Sequence, residues 1–175
     1  MVHTRRVTRP LRRTESNMSQ SKFLFPQSSV KSDYFSSLGA DGVVLWSVLN
    51  IGARASFRLA VEKVTPLRPQ GIWLCTDMDI EIIGGNGKAS SQQYLIFDDA
   101  PHELSFVCET SDGLLHLYNM WEVNGMRRSQ MRMSGMEIED IPGGYRYRCT
   151  DTGPEPDFER FVFTLVRLDG PMFIV

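Results

Sequence analysis

Cysteine, histidine and long apolar runs are scarce in this sequence, and each shortage excludes a class of protein. The three cysteines, Cys75, Cys108 and Cys149, are widely spaced and form no CxxC motif, which excludes a disulfide framework and a zinc knuckle. The longest mostly apolar run, Val43–Leu49, is far shorter than the roughly 18 residues that cross a bilayer. We therefore expect a soluble, cytoplasmic protein with reduced thiols and no membrane partner.

Motifs that announce catalysis or nucleotide binding are also missing. The glycine-rich turns do not form GxGxxG or a Walker loop, and no GxSxG is present. Beyond residue 17 the only imidazoles are His102 and His116, which cannot supply a metal site with several histidines. These absences favour a protein that is not an enzyme, and no cofactor is predicted.

Charge is distributed unevenly along the chain. Residues 1–17 contain five arginines and one glutamate, a net charge of +4, whereas the remaining residues hold 14 basic and 20 acidic side chains, a net charge of −6. An acidic body repels phosphates, so nucleic acid is disfavoured as a partner except through the basic segment. We interpret residues 1–17 as a disordered basic extension ahead of an alternative start at Met18; a binding arm and a targeting segment are the other interpretations.

The body of the chain shows the period-2 alternation that is typical of antiparallel strands. In 55–63, the residues Ala55, Phe57, Leu59 and Val61 share one face, which predicts a core face. The same rule places five apolar residues of 72–83 on one face: Ile72, Leu74, Met78, Ile80 and Ile82. A helix of about two turns is predicted at 32–38, with Ser32 as its N-cap.

Turn residues divide the body into short strands. Asn124-Gly125 between 114–123 and 126–134 is the strongest hairpin signal, because Asn-Gly suits a type I′ turn. Roughly 8–10 strands at this spacing leave no room for βαβ crossovers. The 175 residues therefore predict one all-β domain over 18–175, an antiparallel β-sandwich or a jelly-roll-like barrel.

Three groups of residues are candidates for a site. Asp77, Asp79 and Glu81 alternate along one predicted strand, and their carboxylates are the hard oxygen ligands that calcium prefers; a solvated strand face is the alternative. Asp98, Asp99 and His102 lie close together in a loop, where the imidazole is a candidate general base or metal ligand.

Aromatic and arginine side chains form the third group. Tyr118, Trp121, Tyr145 and Tyr147 are candidates for stacking against a sugar ring, or for binding an anionic small molecule together with Arg128, Arg132, Arg146 and Arg148. Parity places Tyr145 and Tyr147 on one face and Arg146 and Arg148 on the other. A buried aromatic face backed by a solvated arginine face explains this pattern equally well.

The residues thus favour a non-catalytic β domain that binds a small ligand or a protein partner. A hydrolase or lyase centred on Asp98, Asp99 and His102 is one alternative. A structural or assembly subunit, including a homo-oligomer, is another, because the apolar C-terminus at 172–175 suits an edge strand or a docking segment. The three hypotheses predict different features: a ligand site for a binding domain, a catalytic cleft for an enzyme and a contact surface for an assembly subunit.

Overall fold

The structure is a computed structural model that describes residues 25–153 and 155–175. It contains one short helix, α1 (Asp33–Ser37), and twelve strands. The strands are β1 (Val30–Lys31), β2 (Val44–Asn50), β3 (Arg54–Val64), β4 (Gln70–Ile82), β5 (Ser90–Phe97), β6 (His102–Glu109), β7 (Leu114–Val123), β8 (Met126–Ser129), β9 (Gly135–Ile141), β10 (Gly144–Thr150), β11 (Phe161–Arg167) and β12 (Phe173–Ile174). The predicted extension at 1–17 and the start at Met18 lie outside the described residues.

Eight of the strands close into a barrel. Hydrogen bonding runs in the order β2-β9-β10-β11-β3-β6-β4-β7, and β7 pairs with β2 to complete the circle. Every pairing is antiparallel, and β1, β5, β8 and β12 add to the outside of this ring. The all-β prediction is confirmed, and the observed form is the barrel rather than the sandwich.

Alternation along the strands sends one set of side chains into the barrel. On β3, Ala55, Phe57, Leu59 and Val61 are at most 1% exposed, which confirms the predicted core face. Tyr147 stacks on Phe163 inside the barrel with ring centroids 4.8 Å apart. An eight-stranded barrel has an interior just wide enough for side chains, and here aromatic rings fill it. The interior is therefore a core and offers a ligand no room.

Local turn and cap signals are confirmed where the structure describes them. Asn124 and Gly125 adopt φ values of 52° and 72°, and Val123 pairs with Met126 across the turn. Ser32 caps α1 by accepting a hydrogen bond from the backbone N–H of Phe35. Among the described residues, no helix is long and apolar enough to cross a membrane.

Strand β4 contains a bulge that changes its neighbours. Residues 70–75 pair with β7, residues 79–82 pair with β6, and the register against β5 shifts between Cys75 and Ile80. Because the extra residues break the alternation, Met78 is 44% exposed and does not join Ile72, Leu74 and Ile80 in the core. The inward position predicted for Met78 is therefore wrong.

A buried ionic cluster lies beside the barrel core. The Asp151 side chain is 0% exposed and accepts hydrogen bonds from Arg160 Nη1 at 2.7 Å and from Gln70 Nε2 at 3.0 Å. Arg68 Nε lies 3.3 Å from the same carboxylate. Two guanidinium groups and one amide thus compensate the charge that Asp151 carries into the interior.

Candidate functional site

The outer face of three neighbouring strands carries a cluster of aromatic side chains. Trp46 lies on β2, Tyr118 on β7 and Trp73 on β4, in that order across the sheet. Trp73 and Tyr118 are direct cross-strand partners. The alternation that sends Ile72 and Leu74 inward turns Trp73 outward, so this cluster is separate from the barrel core.

The three rings pack against one another, and the Phe25 ring lies 5.9 Å from that of Trp46 and 5.9 Å from that of Trp73, centroid to centroid. Trp73 stacks on Tyr118 with centroids 4.6 Å apart and an interplanar angle of 17°, and Trp46 meets Trp73 at 5.2 Å and 73°. Trp73 is buried, whereas Trp46 and Tyr118 are half-exposed. The ring centroids lie only 4.6 Å and 5.2 Å apart, so a ligand cannot enter between the rings. The rings therefore form an aromatic floor and not a cage that surrounds a ligand.

Hydrogen bonds fix the orientation of both indoles. Trp46 Nε1 donates to His116 Nδ1 at 3.2 Å, and Trp73 Nε1 donates to Gln92 Oε1 at 3.2 Å. The Tyr94 hydroxyl donates to the same Gln92 oxygen, so the Gln92 amide nitrogen keeps its donors free of partners within the described chain. Side chains locked in this way form a preorganised surface.

A groove of about 1170 Å³ runs over this floor. Besides these three aromatic residues, the lining contains residues that precede β1, residues of β4 and β5, and residues of the β6–β7 turn. They are Phe25, Pro26, Gln27, Cys75, Thr76, Asp77, Ser91, Gln92, Ser111 and Asp112. Apolar floors with a few polar groups at the edge are typical of small-molecule sites.

The polar edge is built around Asp77, an exposed residue of β4 that has the same outward parity as Trp73 and Cys75. Asp77 Oδ1 accepts hydrogen bonds from Thr110 Oγ1 at 2.7 Å and from the Ser111 N–H at 2.9 Å, and Oδ2 accepts from the Ser111 hydroxyl. Burial would raise the pKa of Asp77, but these hydrogen bonds hold it below its ordinary value. Asp77 therefore stays negatively charged at neutral pH.

The thiol at the base of the groove is not an activated nucleophile. Cys75 is 1% exposed, and its Sγ donates to the Thr76 carbonyl at 3.3 Å. Burial, together with the charges of Asp112 and Asp77, raises the pKa of Cys75 to about 12. Because the thiolate is the reactive form, Cys75 provides packing and not covalent chemistry.

His116, which accepts the Trp46 hydrogen bond, is predicted to make the stability of the protein depend on pH. Burial lowers its pKa although Asp112 and Asp77 oppose that shift, and Nδ1 must be unprotonated to accept from Trp46. As the pH falls, His116 therefore becomes protonated in the unfolded chain before it does so in the folded chain. The free energy of unfolding decreases as the pH falls below about 6.5, by at most about 1.4 kcal/mol per pH unit. Urea denaturation between pH 8 and pH 5 measures this slope. His116→Gln should flatten it, and an unchanged slope in that variant would contradict the assignment.

The structure does not place the predicted catalytic loop at the groove. Asp98 and Asp99 are exposed between β5 and β6, and His102 opens β6 with its ring 5.2 Å from that of Phe97. None of the three loop residues lines the groove. Their catalytic role remains a prediction.

Asp77, Asp79 and Glu81 are not brought together as a ligand set. Across 25–153 and 155–175, no group of three or more His, Cys, Asp or Glu side chains is placed to hold a metal ion. The Asp77 carboxylate accepts hydrogen bonds from Thr110 and Ser111 instead. Asp77 belongs instead to the edge of the aromatic groove.

Of the four predicted ligand-binding aromatics, only Tyr118 lines the groove. Trp121 and Tyr147 are 0% exposed, and Tyr145, 9% exposed, borders a smaller cavity of about 310 Å³ beside the C-terminal residues. Trp121 differs in parity from Tyr118, so the two rings occupy opposite faces of β7. The structure therefore does not bring the four rings together on one surface, and their role in ligand binding stays a prediction.

The four arginines do not form an anion site with these rings. Arg146 pairs with Glu62 and Glu139, and Arg148 with Glu137 and Glu159, on the outer face. Arg132 lies over the Tyr34 ring at 5.3 Å, and Arg128 is exposed on β8. The observed pattern is a buried tyrosine face backed by paired arginines.

Sequence reasoning missed two of the three floor residues, Trp46 and Trp73. The alternation that assigned Ile72 and Leu74 to the core already turned Trp73 outward, and an outward tryptophan on a half-buried strand was the available signal. Trp46 carried no comparable signal, because its position depends on β2 pairing with β7. The apolar C-terminus forms β12, which pairs with β2 as a short strand.

Comparison with solved structures finds a loose similarity. No protein family and no curated protein matches the chain. The C-terminal domain of BC2L-C lectin from Burkholderia cenocepacia is similar over 71% of this chain and 97% of that domain, with 16% identity and a TM-score of 0.38. A similarity of this degree assigns neither a family nor a ligand to the chain. What the fold and the groove define is a closed antiparallel β-barrel with an aromatic groove on its outer face.

Proposed function

We propose that this protein is a non-catalytic binding domain whose ligand is a small molecule with a flat ring or an apolar ring face. The observation that carries the proposal is the aromatic floor of Trp46, Trp73 and Tyr118, which is held by hydrogen bonds at the base of a groove of about 1170 Å³. Sugar rings and planar heterocycles both present a face that stacks on such a surface.

The chemistry of the groove favours binding over catalysis. The groove thiol is protonated at neutral pH, and His116, the imidazole next to Trp46, already accepts the Trp46 hydrogen bond. The anionic ligand considered from the sequence is disfavoured, since the described part of the lining contains two aspartates and no lysine or arginine. The three cysteines are free and buried, which fits the reducing, cytoplasmic location expected from the sequence.

Ligand screening by saturation-transfer NMR tests the proposal. The probes are a panel of methyl glycosides together with 2-phenylethanol, and tryptophan fluorescence then gives the affinity of each hit. Trp46→Ala and Tyr118→Ala should each weaken binding about tenfold, which corresponds to about 1.4 kcal/mol.

A matched control is Tyr34→Ala, which removes a half-buried aromatic side chain outside the groove lining. This variant should bind as the unmodified protein does. Equal losses in all three variants would contradict the assignment of the groove, and so would a complete lack of binding across the panel at millimolar concentration.

A further inference from the structure

Both charged side chains that line the groove are acidic. Asp77 and Asp112 stand on its edge, and among the described residues its lining includes neither lysine nor arginine. Arg127 is occupied elsewhere, since its guanidinium lies 4.4 Å over the Tyr94 ring outside the lining. A partly enclosed site with charge of one sign concentrates ligands of the opposite sign.

The two carboxylates are held close together by a single hydroxyl group. Thr110 Oγ1 lies 2.7 Å from Asp77 Oδ1 and 2.7 Å from Asp112 Oδ1, so these carboxylate oxygens are no further apart than twice that distance. A hydroxyl has one hydrogen and donates it to one of them at a time. The remaining repulsion between like charges would be relieved by a bound cation.

Asp112 keeps one oxygen available for a ligand. Its Oδ1 accepts hydrogen bonds from Thr110 and from the Leu114 N–H, whereas Oδ2 accepts none from the described residues. The Asp112 side chain is exposed at the turn between β6 and β7. The free oxygen can therefore accept a hydrogen bond without disrupting the turn.

The free oxygen of Asp112 selects the kind of cation. A quaternary ammonium has no N–H to donate to this oxygen, whereas a protonated primary or secondary amine does.

We propose that the groove binds a small molecule in which a protonated primary or secondary amine is joined to a planar ring, an inference that rests on the proposed binding function. The ring stacks on Trp46 and Tyr118, and the ammonium group meets the carboxylates of Asp77 and Asp112. Charge-assisted hydrogen bonds and the attraction of a cation to the aromatic floor act together at this position.

Three probes that share a phenyl ring and differ in charge test this proposal on the full chain by calorimetry. They are 2-phenylethylamine, 2-phenylethanol and phenylacetate. The amine should bind at least about tenfold more tightly than the alcohol at low ionic strength, and phenylacetate should bind most weakly. The preference for the amine should shrink as salt is added, because exposed charges are screened.

Variants of the acidic edge locate the effect. Asp77→Asn and Asp112→Asn should each weaken amine binding about tenfold and leave the alcohol unchanged. Asp79→Asn is the matched control, because Asp79 is an exposed carboxylate on the same strand but outside the groove lining.

The outcomes separate this inference from the proposed function. Equal affinity for amine and alcohol, or tighter binding of phenylacetate, would overturn the amine specificity and leave ring binding in place. Binding of methyl glycosides without binding of the amine would do the same. Failure of every probe would overturn both proposals. If Asp77→Asn fails to fold, Asp112→Asn decides, and an unchanged amine affinity in that variant overturns the inference.

Discussion

Replacing Asp151 with alanine is expected to destabilise the domain by about 3–5 kcal/mol. The Asp151 carboxylate is fully buried and compensates Arg160, whose side chain is only 14% exposed. Removing the carboxylate leaves that guanidinium without a counter-charge in a poorly solvated position, and Gln70 Nε2 loses its acceptor. The midpoint of urea denaturation measures the loss.

A surface ion pair provides the control for this variant. Arg54 Nη1 lies 2.6 Å from Glu109 Oε1, close to the distance within the buried pair, but the two side chains are 64% and 44% exposed. Glu109→Ala should therefore cost less than about 1 kcal/mol. Similar losses in the two variants would contradict the claim that burial, and not the length of the contact, decides the effect.

Replacing Trp121 with alanine is expected to cost about 3–5 kcal/mol, because it removes a fully buried indole from the barrel interior. Thermal and urea denaturation measure this loss. Trp121→Phe should lose less, since it retains an aromatic ring and removes an indole N–H that has no hydrogen-bond partner among the described residues.

Tyr118→Ala on the same strand is the informative comparison. Tyr118 is half-exposed on the outer face, so its loss should reduce ring binding much more than stability. If Trp121→Ala instead left the domain stable and abolished ligand binding, the division between an interior core and an outer groove would be wrong.

Local features of this fold can be predicted from the sequence because their causes are local. The alternation in 55–61 identifies a core face, and Asn124-Gly125 specifies a tight hairpin. The parity of Tyr145 and Tyr147 correctly separates a buried face from an arginine face. Each of these patterns depends on residues within a few positions of one another.

The groove could not be predicted in the same way, because it depends on pairings between distant strands. Trp46 and His116 meet although 70 positions separate them, and Trp73 joins them through the pairing of β4 with β7. Alternation gives the face of each residue but not the neighbour of each strand. The β4 bulge adds a second obstacle, since it exposes Met78 at a position that alternation assigns to the core.

The order of the pairings has a consequence for how the chain acquires its structure during synthesis. Strand β3 lies between β6 and β11, and the register of β3 with β11 joins Val64 to Phe161. A nascent chain that ends before Phe161 therefore leaves one edge of β3 without its partner, and the ring remains open. Most contacts join residues far apart in sequence, which makes folding slow and cooperative. We expect the barrel to close only after β11 has been synthesised and has paired with β3 and β10.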